Sequence, residues 1–122
     1  MYNDILNFCF DEVGSEKFFE KDIAFDQLLI ERYSDILEQA AAVEFYTWRS
    51  SIKGRLAEII ILDQFSRNIY RDTPAAFAQD AMSLALAQEA VAAGALEALE
   101  TINERKFLLM PYMHSESKLI HQ

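Results

Sequence analysis

Two ionisable side chains stand where the pattern of this chain asks for leucine. The run Leu56-Ala57-Glu58-Ile59-Ile60-Ile61-Leu62 reads as a central core helix. On a 3.6-residue period Asp63 falls seven residues after Leu56, four after Ile59 and three after Ile60, so it projects from the buried face. Arg67 follows four residues later on the same stripe. A carboxylate or guanidinium left alone in an apolar interior costs several kcal/mol, so each is expected to find a partner. The pair has its acid N-terminal, the better orientation at this spacing. A guanidinium so placed can brace the interior or grip a carboxylate or phosphate in bidentate fashion.

The elements that must position this pair are helices. With 3 Gly and 2 Pro there is little punctuation, no alternating strand pattern is legible, and Ala, Leu, Glu and Gln dominate. Asn3 or Asp4 can cap a first helix to about Phe10, which Gly14-Ser15 breaks. Asp26 suits the N-cap of a second helix to about Ala42, with Leu29, Tyr33, Ile36, Leu37 and Ala40 as its apolar stripe. Phe45, Tyr46 and Trp48 then read as an aromatic plug in a connector. Ser50 or Ser51 caps a third helix from Ile52 to Phe65, and Ser66 to Asp72 makes an irregular exit. Thr73-Pro74 starts a short turn. Asp80 caps a helix from Ala81 to Ala93, ended by Gly94. Thr101 and Glu104 form a capping box that opens a helix through about Met110, which Pro111 interrupts.

The chain has 122 residues, enough for one α-helical domain over residues 1–122 that buries about two thirds of its unfolded surface. Lys plus Arg is 11 against Asp plus Glu 20, and the net charge of -9 repels phosphate backbones, so no nucleic-acid partner is expected. The longest uninterrupted apolar run, Ile59 to Leu62, falls far short of the roughly 20 residues that cross a bilayer, and no membrane partner is expected. Cys9 has no second cysteine to pair with and fits a reducing compartment, and the N-terminus carries no signal-peptide pattern. A cytoplasmic location is the expectation.

Several stretches, in order along nearly the whole chain, carry a family resemblance. They are Ile5 to Phe10, Gly54-Arg55-Leu56-Ala57, Leu62 to Arg71, Ala76 to Asp80, and Phe107 to Glu116 with its Met-Pro-Tyr-Met-His-Ser-Glu end. Together they resemble a bacterial family of unknown function, domain of unknown function 924. The resemblance implies an all-α fold of antiparallel helix pairs similar to tetratricopeptide-repeat proteins, and no established activity. Cys9 stands where the family usually has Trp, and Ser66 where it usually has Pro. Family members continue with further helices and a second Arg-rich motif. Their absence here leads us to expect an open apolar surface near the C-terminus and a homo-oligomer formed through it.

The motif residues with chemistry in them are Asp63, Gln64, Arg67, Asn68, Arg71, Asp80, His114 and Glu116. Three readings compete. In the first they form a buried brace that fixes helix register, with Asn68 capping the helix end. In the second Arg67, Asn68, Arg71 and His114 line a groove that accepts an anionic small molecule or a peptide carboxylate, with Asp63, Asp80 and Glu116 beside them. In the third Asp63, Asp80, His114 and Glu116 serve a hydrolase as acid, base or metal ligands. No His-Glu-x-x-His, glycine-rich phosphate loop or paired cysteine supports the third reading, so no cofactor and no metal are expected. A binding or interaction module is the leading expectation.

Overall fold

The computed structural model of the chain describes residues 1–115, so Glu116 and His121 lie outside the described residues. Every regular element among the described residues is helical. The order is α1 (Tyr2–Asn7), running into a π-helical turn Phe8–Glu12, then a 3-10 turn Ser15–Phe19, and α2 (Ile23–Ala41). A 3-10 turn Tyr46–Ser50 leads into α3 (Ile52–Ile60), which passes through a second π-helical turn Ile61–Phe65 into α4 (Ser66–Ile69). A 3-10 turn Pro74–Phe77, α5 (Asp80–Ala92), α6 (Ala95–Ala98) and α7 (Ile102–His114) follow.

The continuous helical run from α3 through the π turn to α4 is the centre of the fold. The helices α1, α5 and α7 pack on α3, and α2 packs on the π turn and α4. Leu56, Ala57, Ile59, Ile60, Ile61, Leu62 and Phe65 along it are all buried. Each fully buried aliphatic or aromatic side chain contributes about 1.5–3 kcal/mol. Aromatic rings tie the surrounding elements to it. Phe18 stacks on Phe65 at 5.7 Å and meets Phe107 edge-on at 5.9 Å, while Phe8 meets Tyr33 at 4.9 Å. Cys9 lies fully buried in the same cluster, and burial pushes its thiol pKa up. It behaves as a small core residue.

Local chemistry explains most boundaries. Ser51 caps α3 by accepting from Gly54 N, and Thr101 with Glu104 completes the capping box of α7. Gly94 takes the left-handed conformation, φ 89°, that ends α5. Gly54 is required by close approach: a Cβ there would lie 2.3 Å from the Trp48 carbonyl oxygen.

Several expectations are corrected. Asp26 is not an N-cap: Asp22 takes that role, accepting from Phe25 N at 3.1 Å, and Asp26 lies buried one turn later. The Lys17 ammonium beside Asp22 holds its carboxyl below the ordinary range, which suits an acceptor at a helix N-terminus. Asp80 is the first residue of α5, behind Gln79, and makes no cap. Ser66 does not begin an irregular exit. Its hydroxyl donates to Leu62 O at 2.7 Å, and the helix gains a further turn to Ile69.

Pro111 does not interrupt α7. It removes one backbone donor but lies buried, and the helix runs on to His114. Phe45 stacks on Trp48 at 4.1 Å as an aromatic plug would, but Tyr46 is 62% exposed and takes no part in it. Among the described residues no helix is long and apolar enough to cross a membrane.

Candidate functional site

The π turn Ile61–Phe65 places two neighbouring polar residues, Asp63 and Gln64, in the interior together. An α-helix turns about 100° per residue, so adjacent side chains normally face different surroundings. Here both surroundings are protein, and each residue founds its own network.

Asp63 is 1% exposed. Arg67 Nη1 donates to its Oδ1 at 3.1 Å, and His114 Nδ1 lies 2.9 Å from the same oxygen. Arg67 then reaches across to α5, where Nη1 donates to Asp80 Oδ1 at 2.8 Å and Nη2 to Asp80 Oδ2 at 3.1 Å. The guanidinium sits between two carboxylates and 5.3 Å from the Phe77 ring centroid. This cluster forms one wall of a cavity of about 440 Å³. Arg67, Asp80, His114 and Ser115 supply its polar side; Phe77, Leu84 and Pro111 supply the apolar side. Asp63 Oδ2 is buried with no hydrogen-bond partner among the described residues.

Gln64 faces the other way. Its Nε2 donates to Asn68 Oδ1 at 2.9 Å and to Phe18 O at 3.3 Å. Asn68 Nδ2 donates to Asp26 Oδ1 at 3.1 Å and to Phe18 O at 3.3 Å. Arg71 closes the network, Nε donating to Asp26 Oδ2 at 2.6 Å and Nη2 to Asp26 Oδ1 at 3.2 Å. Its hydrogen bonds to Asp26 raise the Arg71 pKa further. The network joins α4 to α2 and to the Ser15–Phe19 turn, so it braces the fold.

The expected single cluster is therefore two. Asp63, Arg67, Asp80 and His114 converge at a cavity, while Asn68 and Arg71, with Gln64, form a separate internal brace. Asn68 does not cap the helix end. Glu116 lies outside the described residues. Both guanidiniums expected to draw an anion already hold carboxylates, Arg67 those of Asp63 and Asp80 and Arg71 that of Asp26.

Sequence reasoning missed the part played by Asp26. The signal was present: Asp26 precedes Leu29, Tyr33 and Leu37 on the stripe that α2 buries, the same anomaly that marked Asp63. Phe77, Leu84 and Ser115 carried no comparable signal.

The arrangement has defined chemical options. With Nδ1 directed at Asp63, the His114 ring is oriented by a buried carboxylate and its Nε2 points away from that partner. Among the described residues no group of three or more His, Cys, Asp or Glu could hold a metal ion.

Fold and site define an all-α protein whose interrupted central helix anchors a carboxylate–guanidinium–imidazole cluster beside a small cavity. The family described as "Bacterial protein of unknown function (DUF924)" matches residues 5–122, and the chain belongs to it. The chain is also similar to a solved protein of unknown function from Agrobacterium tumefaciens, at 33% identity and a TM-score of 0.91. That likeness covers 99% of this chain and 68% of the other. Among the curated proteins compared, none matches.

Proposed function

We propose that the chain is a binding protein for a small molecule, and that the cavity beside Arg67, Asp80 and His114 is its site. The observation that carries this reading is the anchoring of both Arg67 and His114 on one oxygen of buried Asp63. Polar groups held in this way are pre-organised, which lowers the ordering cost of binding. The size, about 440 Å³, lies within the range of about 300–1,000 Å³ usual for ligand sites. Nuclear magnetic resonance screening with a mixed fragment set tests it. Fragments should shift the signals of Phe77, Ala81 and His114 together, and the absence of any such fragment would end the reading. An anionic small molecule or peptide carboxylate would have to displace Asp80 from Arg67.

A second reading, an acid–base enzyme of hydrolase type, is favoured by one contact, His114 Nδ1 to Asp63 Oδ1 at 2.9 Å. A carboxylate on Nδ1 orients a histidine for proton transfer through Nε2. Hydrolysis of a chromogenic ester panel that disappears in His114→Ala would support it. Equal rates in the two proteins would remove it.

Three broader readings accompany these. The helical layers are taken as tetratricopeptide-like, as the family resemblance implies. The free, buried Cys9 accords with a reducing, cytoplasmic setting. Association of copies is supported by the apolar side chains of Ile102 and Met113 on α7, 80% and 63% exposed. A light-scattering mass of one protomer would overturn that last reading.

A further inference from the structure

We infer that the cavity selects a ligand with a positively charged amine on a short apolar stem, rather than an anion; this deepens the binding reading above and rests on it. The charge at the site is the first reason. Asp63 and Asp80 bring two carboxylates to the cluster, and Arg67 brings one guanidinium between them. Three of the Arg67 N–H groups are already given to those carboxylates. An incoming anion would have to break the Asp80 fork and would still meet the Asp80 charge at the cavity wall. An ammonium meets no such obstacle.

The acceptors are the second reason. The Asp80 side chain is one-third exposed, so part of its carboxylate remains open to a donor from the cavity. Behind it Asp63 Oδ2 is buried and lacks a donor among the described residues, which leaves the interior side of the cluster short of positive hydrogen-bonding partners. The apolar surface is the third reason. Phe77 presents an aromatic ring, and ring faces attract cations. Leu84 and Pro111 complete a wall against which a hydrocarbon stem loses water. The net charge of -9 adds a long-range attraction of the same sign.

The test uses three compounds of matched shape, 2-phenylethylamine, 2-phenylethanol and phenylacetate, titrated at low salt and followed by the signals of Phe77 and His114. The amine should bind at least about tenfold more tightly than the alcohol, and phenylacetate more weakly than either. In Asp80→Asn the advantage of the amine over the alcohol should shrink by most of that factor. The melting curve of the variant reports whether it is folded, and the comparison among the three compounds on the unaltered chain stands without it. Equal binding of amine and alcohol, or tightest binding by phenylacetate, would overturn the charge preference and leave the binding site standing. No shift with any of the three, in a chain that does answer to other fragments, would also overturn it. No shift with any fragment at all would remove the binding site, and the preference with it.

Discussion

His114 Nδ1 lies 2.9 Å from Asp63 Oδ1, although 51 positions separate the two residues in the chain. One comes from the last turn of α7 and the other from the middle of the central helix. The contact depends on α7 continuing past Pro111, because a helix stopped at Met110 would leave the direction of His114 undefined. A buried carboxylate supplies what the proline takes away, a reason for the chain to keep its course. The cavity exists because these two helices meet at this angle.

Arg67 is the side chain whose loss should be felt most. Arg67→Ala leaves Asp63 buried with only His114 beside it, and should cost about 3 kcal/mol in urea unfolding. Arg67→Lys keeps the charge but loses the fork to Asp80, at a cost of about 1–2 kcal/mol. Adding Asp63→Asn to Arg67→Ala should recover part of the loss, a non-additivity that a double-mutant cycle reads directly.

The brace should be as sensitive as the cavity cluster. Asn68→Ala removes donors to Asp26 and to Phe18 O and an acceptor for Gln64, and should lower stability by about 2 kcal/mol. Asn68→Asp should be worse, because it sets a second carboxylate against Asp26 in the interior. Neither change should alter ligand-induced shifts at Phe77, since the two networks are separate.

Gly54→Ala offers a test of close packing. Alanine is the better helix former by about 1 kcal/mol, so an unobstructed helix would gain from the change. Here the new Cβ would stand 2.3 Å from the Trp48 carbonyl, which is backbone. The expected result is a net loss of about 1–3 kcal/mol in thermal or urea unfolding.

Acid should loosen the start of α7. Burial pushes the Glu104 carboxyl up, but its bonds to Lys53 and Thr101 outweigh that, so it sits below its ordinary value of 4.5. A depressed folded value means the carboxylate stabilises the fold above about pH 4.5, and that contribution is lost as the pH falls through the folded value. Glu104→Gln should therefore be less stable than the unaltered chain at neutral pH and closer to it in acid. Urea midpoints measured from about pH 7 down to about pH 3 check this.

What could be read from the residues alone follows a physical division. The Ser51 cap, the Thr101–Glu104 box and the Gly94 stop are local, their partners lying within four positions, and spacing reveals such features. The Asp63–Arg67 pair is local too. Asp26 and Asp80 look like caps by the same local reasoning, yet their carboxylates are claimed by Arg71 and Arg67 from other helices. Nothing local separates an aspartate that caps from one that waits for a distant guanidinium. Pro111 shows the same limit: its breaking tendency is local, while the contacts that overrule it come from the other side of the fold.

The π-helical turn at Ile61–Phe65 makes the central helix unequal to any straight helix of the same sequence. Removing one residue from that turn would restore the regular winding and swing everything after it by about 100°. Arg67 would then leave Asp80, and Asn68 and Arg71 would leave Asp26, in a single motion. Length in this segment thus acts as a shared constraint: the cavity and the brace are either both in register or both lost, and no single-residue deletion there can spare one of them.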